Sequence, residues 1–205
     1  NVKIPKSYVF TVKQFKEKEA QIIENIKKKF SKKIILRSSN KSEDTNKTSL
    51  AGRFISIPNL NPENHNQIKS SILKIIKSYK QFKSDNNEIL VQNFIKNIKM
   101  SGVATSCDLK EYSPYITINY SLENNTAAIT SGKQNYKTFV ALRKTKIDKK
   151  YFIFSRIVNL IERLTVYYGN EFIELEFAIN RDNHLYLFQV RPIIKKNNKS
   201  IDIDF

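Results

Sequence analysis

Cys107 is the only cysteine in the chain, which excludes an internal disulfide and fits a reducing, cytoplasmic setting. Neither histidine, His65 nor His184, lies near it in sequence, so Cys107 reads as a small core filler rather than a nucleophile. No apolar run approaches the roughly 20 residues of a membrane span, and no secretory signal pattern opens the sequence, so no membrane partner is expected. Internal repeats, zinc-finger spacings, RNP-like motifs and aromatic-interleaved basic stripes are all missing. Acidic residues are scarce, 19 against 36 basic ones, leaving a formal charge of +17. Only seven of the basic residues are arginines, and lysine is spread along the whole chain beside Asn and Ile. That distribution reads as compositional bias over a solvated surface, and nucleic acid is not an expected partner. A basic polyanion-binding module stays open as an alternative.

What is present suits a folded domain. The 205 residues are 40% hydrophobic and 11% aromatic, enough for one large domain or two lobes. Phe15, Ile22, Ile23, Ile26 and Phe30 recur at helical spacing over 13–30. Ile68, Ile72, Ile75, Ile76 and Tyr79 mark a second helix, with Asn61 as its cap and Pro62 at its first position. Strands are expected at 34–36, 54–57, 89–94, 102–106, 115–120, 127–130 and 137–142. A helix over 152–168 should end at Gly169. A hairpin of 173–180 with 185–190 closes the fold. The class is α+β with a mainly antiparallel sheet, divided into an N-terminal lobe (1–88), a C-terminal lobe (89–194) and a polar tail (195–205).

Two segments carry chemistry. Ile34-Ile35-Leu36 makes a short buried strand ending in Arg37, followed by a stretch rich in hydroxyls, amides and charge up to Ser49-Leu50-Ala51-Gly52. Such a loop cannot build a core, but it offers the donors, the glycine and the fixed guanidinium that bind polyphosphate. A solvated loop beside a surface arginine reads equally well. In the hairpin, taking Asp182-Asn183 as a two-residue turn sets Glu176 opposite Gln189 and Glu174 opposite Arg191. Leu175, Phe177, Ile179, Tyr186, Phe188 and Val190 then share the apolar face, and Leu185 and Leu187 fall on the other. Two carboxylates and an amide oxygen suit a hard cation such as Mg²⁺, with Arg191 beside a phosphate. The plainer reading is a Glu174–Arg191 ion pair, which leaves Glu176 and Gln189 unexplained.

Taken in order, these segments resemble the ATP-binding domain of the phosphoenolpyruvate synthase and pyruvate phosphate dikinase family, an ATP-grasp-type fold. Ile4-Pro5-Lys6-Ser7-Tyr8-Val9-Phe10-Thr11 is similar to the family's "VP.GF.VT", and Leu36-Arg37-Ser38-Ser39 through Gly52 to its "VRSSA..ED....SFAG". Leu90-Val91-Gln92 with Ser101-Gly102-Val103 looks like "VVVQ…..SGV.F". Tyr168-Gly169, Glu174-Leu175-Glu176 and Gln189-Val190-Arg191-Pro192 resemble "YG…DIEW……..QARP". The resemblance implies a two-lobe nucleotide-binding domain. Arg37 and Arg191 would be its catalytic phosphate clamps. Ser49, Ala51 and Gly52 would form the phosphate loop, Gln92 would lie at the adenine hinge, and Glu174 would contact the nucleotide–metal complex. Glu176 and Gln189 would ligate Mg²⁺. Members of the family pass the β-phosphoryl group of ATP to a histidine on a separate domain, releasing AMP and phosphate.

The departures shape the expectation. The family's Gly-Gly-Lys-type element would precede Asn1, so either the chain is a trimmed fragment or the site lacks that lysine and binds ATP weakly. Glu174 stands where the family has aspartate. Asn119-Tyr120 and Thr130-Ser131-Gly132 look more like compact members of capsule loci, among them a glutamine kinase. Neither His65 nor His184 has a Thr-Ser-His-type context, so the phosphohistidine and acceptor domains of the same parent protein are the expected partners. A degenerate ATP-grasp domain kept for docking is a further alternative.

Overall fold

The computed structural model describes residues 1–39, 55–79, 84–122 and 136–194. The elements run β1 (Val2–Lys3), β2 (Ser7–Thr11), α1 (Val12–Lys29), β3 (Ile34–Ser39), β4 (Ser56–Leu60), α2 (His65–Ser78) and β5 (Glu88–Asn93). They continue with β6 (Ile98–Thr105), β7 (Tyr115–Ser121), β8 (Lys137–Leu142), α3 (Phe152–Tyr168), β9 (Ile173–Asn180) and β10 (Leu185–Pro192). The strand expected at 127–130 and the loop carrying Ser49, Ala51 and Gly52 lie outside the described residues. So does the polar tail.

Two sheets result. One has the order β2-β5-β3-β4, the other β1-β10-β9-β6-β7-β8, and every pairing is antiparallel except β1 with β10. Strand β5, which the sequence reading places at the head of the second lobe, is hydrogen-bonded between β2 and β3 in the first sheet. The change of sheet therefore falls between Asn93 and Ile98, because Ile89 and Val91 are needed in the first core. The chain also crosses between sheets earlier, from β1 to β2. The two crossings touch where the Asn93 N–H donates to the Lys6 carbonyl at 3.1 Å.

Each sheet has its own helical cover. The helix α1 starts on a capping box, with the Thr11 hydroxyl accepting from Gln14 N–H and the Gln14 amide oxygen accepting from Thr11 N–H. Its stripe of Phe15, Ile22, Ile23 and Ile26 meets Ile68, Ile72 and Ile75 of α2 over Ile34, Leu36, Ile89 and Val91. The cap of α2 is Asn64, accepting from Gln67 N–H, not Asn61. Asn61 instead closes a turn in which its carbonyl accepts from Asn64 N–H, keeping Pro62 outside the helix. In the second core Ile157, Val158 and Ile161 of α3 pack on Ile116, Ile118, Leu175, Phe177 and Ile179. Gly169 ends α3 at φ +60°, a left-handed position that favours glycine. Cys107 is buried, as expected for a filler. Among the described residues no helix is long and apolar enough to cross a membrane.

Gly102 is a tight backbone position in the second sheet. A Cβ there would run into the Asn119 carbonyl oxygen and come within 2.9 Å of the Phe177 ring. Its glycine thus serves core packing under β7. Gly102→Ala is expected to destabilise the fold by about 1–3 kcal/mol through overpacking. Urea unfolding measures this, and a wild-type midpoint would show that both the Asn119 backbone and the Phe177 ring give way.

Candidate functional site

Alternation along β3 puts Ile34 and Leu36 beneath the helices and turns Ile35 and Arg37 to the helix-free face of the first sheet. Tyr79, at the end of α2, fixes the far end of that strand. Its hydroxyl accepts from Ser39 N–H at 3.2 Å and donates to the Glu88 carbonyl, tying β3 to β5 just where the donor-rich loop departs. Sequence reasoning took Tyr79 only as part of a helix stripe.

The opposing wall is the β9–β10 hairpin, whose register starts one step from the expected one and shifts once along the ladder. The loop is three residues, not two. Asn183 N–H donates to the Asn180 carbonyl, Asn180 N–H donates to the His184 carbonyl, and Asn183 sits at φ +64°. Leu185, Tyr186 and Leu187 consequently pair with Ile179, Ala178 and Phe177, one step away from the two-residue-turn register. A one-residue slip exchanges faces. Leu185 and Leu187 therefore join the core, and Tyr186 and Phe188 do not lie on the apolar face expected for them. A bulge at Phe188 then restores the offset, so that Gln189 pairs with Glu176 and Arg191 with Glu174. The polar quartet lies on one face as its spacing requires.

Across the gap between sheets, the Arg37 Nη1 stands 3.5 Å from the Glu176 Oε2, with both side chains about four-fifths buried. The guanidinium also lies 5.5 Å from the centre of the bulged Phe188 ring, a cation–π contact. The Arg37 Nε is buried and has no hydrogen-bond partner among the described residues. An orphaned charged donor of this kind costs on the order of 1–3 kcal/mol, which a bound anion would recover. One step along β9, Glu174 Oε1 accepts from the Arg191 Nε at 2.6 Å and from its Nη2. Glu174 is thereby occupied by the ion pair that the plainer sequence reading foresaw. Ser101 Oγ, on the same sheet face beside Ala178, is likewise buried without a partner among the described residues.

A small pocket between the sheets is lined by Ile35, Arg37, Gln92, Asn93, Phe94, Ile95 and Phe188. Gln92 is buried, and its Nε2 donates to the Ser7 hydroxyl at 3.2 Å, which in turn donates to the Pro5 carbonyl at 2.9 Å. Its amide therefore braces the junction of the two crossings. The signal for Phe188 was available in sequence only as an extra residue between two registers, and for Ser7 not at all.

Glu176 and Gln189 carry oxygen donors of the type that Mg²⁺ takes, while Glu176 and Glu174 are each paired with a guanidinium. Glu176 and the exposed Gln189 are cross-strand neighbours, and Glu174 is two residues along the same face. Among the described residues no group of three or more His, Cys, Asp or Glu side chains forms a complete metal cage. Mg²⁺ needs none, since it commonly takes one or two carboxylates and shares phosphate oxygens.

No family model matches the sequence, and no curated protein matches it either. Solved structures do. D-Alanine-D-alanine ligase from Helicobacter pylori superposes with a TM-score of 0.51 at 15% identity, over 95% of this chain and 50% of that one. D-alanyl-alanine synthetase A from Vibrio cholerae gives 0.50 at 14%, over 95% and 52%. D-alanine-D-alanine ligase from Coxiella burnetii gives 0.50 at 7%, over 97% and 45%. The fold is that of the ATP-grasp proteins. In an ATP-grasp fold of two facing sheets, the described chain spans about half the length of these structures. At such identities the likeness concerns the fold alone, and the particular family within it is a matter for the residues of the site.

The pairing across the gap can be measured. A double-mutant cycle of Arg37→Met and Glu176→Gln is expected to give a coupling of about 1 kcal/mol in unfolding free energy. Strictly additive effects would mean that the two side chains do not meet in solution.

Proposed function

We propose that this chain is the ATP- and Mg²⁺-binding domain of a multidomain phosphotransferase resembling phosphoenolpyruvate synthase. The observation that carries the reading is the meeting of Arg37 with Glu176 across the two sheets of an ATP-grasp fold, beside the Glu174–Arg191 pair. The four colinear sequence resemblances support the family, and the Arg37 Nε, orphaned among the described residues, supports an anionic ligand.

In this reading the adenine lies at the hinge beside Gln92, and the triphosphate runs toward Arg37 and Arg191. The loop of Ser49, Ala51 and Gly52 adds backbone donors to the phosphates. Glu176 and Gln189 hold Mg²⁺, which supplies neutralising charge to phosphate oxygens when bound. Arg37 and Arg191 stabilise the charge that develops on the transferring phosphoryl group and its leaving group. While water takes up the γ-phosphoryl group as phosphate, the β-phosphoryl group goes to a histidine of a separate domain of the same parent protein, its bond to AMP breaking. It passes from there to a small acceptor, for which the amide nitrogen of L-glutamine in capsule polysaccharide biosynthesis is the proposed case. The setting is cytoplasmic.

Isothermal titration of the 205-residue chain with ATP and Mg²⁺ tests the assignment. Removing one charge-assisted contact, as in Arg37→Ala or Glu176→Ala, should weaken MgATP binding by about tenfold or more. Unchanged affinity in both variants would overturn the residue roles, and no binding by the wild type would overturn the nucleotide reading.

A further inference from the structure

Phe188 is a large apolar side chain without a core. It packs in neither hydrophobic cluster, although Leu185, Leu187 and Val190 of the same strand all pack in or against the second. It is also the residue that the ladder passes over, since Leu187 pairs with Phe177 and Gln189 with Glu176. A bulge gives up a regular pairing and re-aims one side chain. Here the half-buried ring is turned into the gap between the sheets, where it lines the small pocket with Ile35, Arg37 and Gln92. The Arg37 guanidinium carbon lies over its face, 5.5 Å from the ring centre.

The two arginines of the site are held differently. Arg191 is gripped through Nε and Nη2 by the Glu174 carboxylate. Among the described residues Arg37 has one ion-pair contact, Nη1 to Glu176 at 3.5 Å, which is long for a hydrogen bond, and its buried Nε has no partner. One long contact fixes neither the tilt nor the rotation of a planar fork. A ring face attracts the cation through its quadrupole and occupies none of its N–H groups. A second carboxylate would orient the guanidinium equally well, but it would take the donors that an anion needs. We infer that Phe188 is a positioning residue, whose ring orients the Arg37 guanidinium and leaves its Nε edge open to a phosphate. The inference rests on the reading of Arg37 as a phosphate-binding residue and adds the group that holds it in place.

Fluorination tests the electrons of the ring apart from its size. Mono-, di- and trifluorinated phenylalanine placed at Phe188 withdraw charge from the ring face stepwise and leave its volume nearly constant, so folding is not at issue. MgATP affinity, read by isothermal titration, should fall at each step, by about tenfold across the series. In the weaker-binding Arg37→Met variant the same series should be level. A second measurement needs no ligand. Nitrogen NMR relaxation of the Arg37 Nε–H group in the free protein should show a lowered order parameter in Phe188→Leu. A level series in the wild-type background overturns the inference. So does an equal fall in both backgrounds, which would place the ring against the ligand itself. If the wild type binds no MgATP, the nucleotide reading fails, and the order parameter decides the positioning by itself: an unchanged value in Phe188→Leu overturns it, and a lowered one upholds it.

Discussion

The register of one hairpin decides which chemistry this molecule can present. Strands β9 and β10 lie inside the second sheet, flanked by β6 and β1, so their faces are set for every neighbour. The three-residue loop alone would carry its offset to the open end. Glu174 and Glu176 would then face Val190 and Phe188, and Gln189 and Arg191 would be driven into the core. The bulge at Phe188 reverses that offset midway. The result is an apolar turn end continuous with the core beneath α3 and a polar open end facing the first sheet. The same bulge supplies the aromatic ring that lies beside Arg37. A local backbone irregularity thus selects four side chains and adds a fifth.

Much of this was legible in sequence where the signal was periodic or local. Helical stripes located α1 and α2 because each buries one face against a sheet, and Gly169 marked the end of α3. The polar quartet was legible because two register errors of opposite sense cancel between the loop and Gln189. Leu185, Leu187, Tyr186 and Phe188 lie between the two shifts, and there the reading failed. The cap of α2 was misplaced because Asn61 and Asn64 are equally good capping types, and only the turn between them chooses. Strand β5 was assigned to the wrong lobe because its apolar residues suit either core. Arg37 and Glu176 could each be suspected, but they are 139 residues apart, and no spacing rule joins them.

Placing the paired charges on separate sheets has a chemical logic. A guanidinium and a carboxylate on one strand, such as neighbouring β9 residues, would keep a fixed spacing. Arg37 and Glu176 belong to lobes with separate cores, one under α1 and α2 and the other under α3. Their separation is therefore a property of how the lobes stand to one another, not of either lobe's internal packing. Site electrostatics and lobe position are in this way one variable.

That variable has few degrees of freedom. The backbone passes between the sheets twice, from β1 to β2 and from β5 to β6. The passages are tied side by side by Asn93 with Lys6 and by Gln92 through Ser7 to Pro5. A single strand of chain would let one lobe swivel about any axis. Two linkers fastened together restrict the relative twist of the lobes more than one linker would. Arg37 and Glu176 lie on opposite sides of these linkers, so the angle between the lobes sets the distance between the two charges.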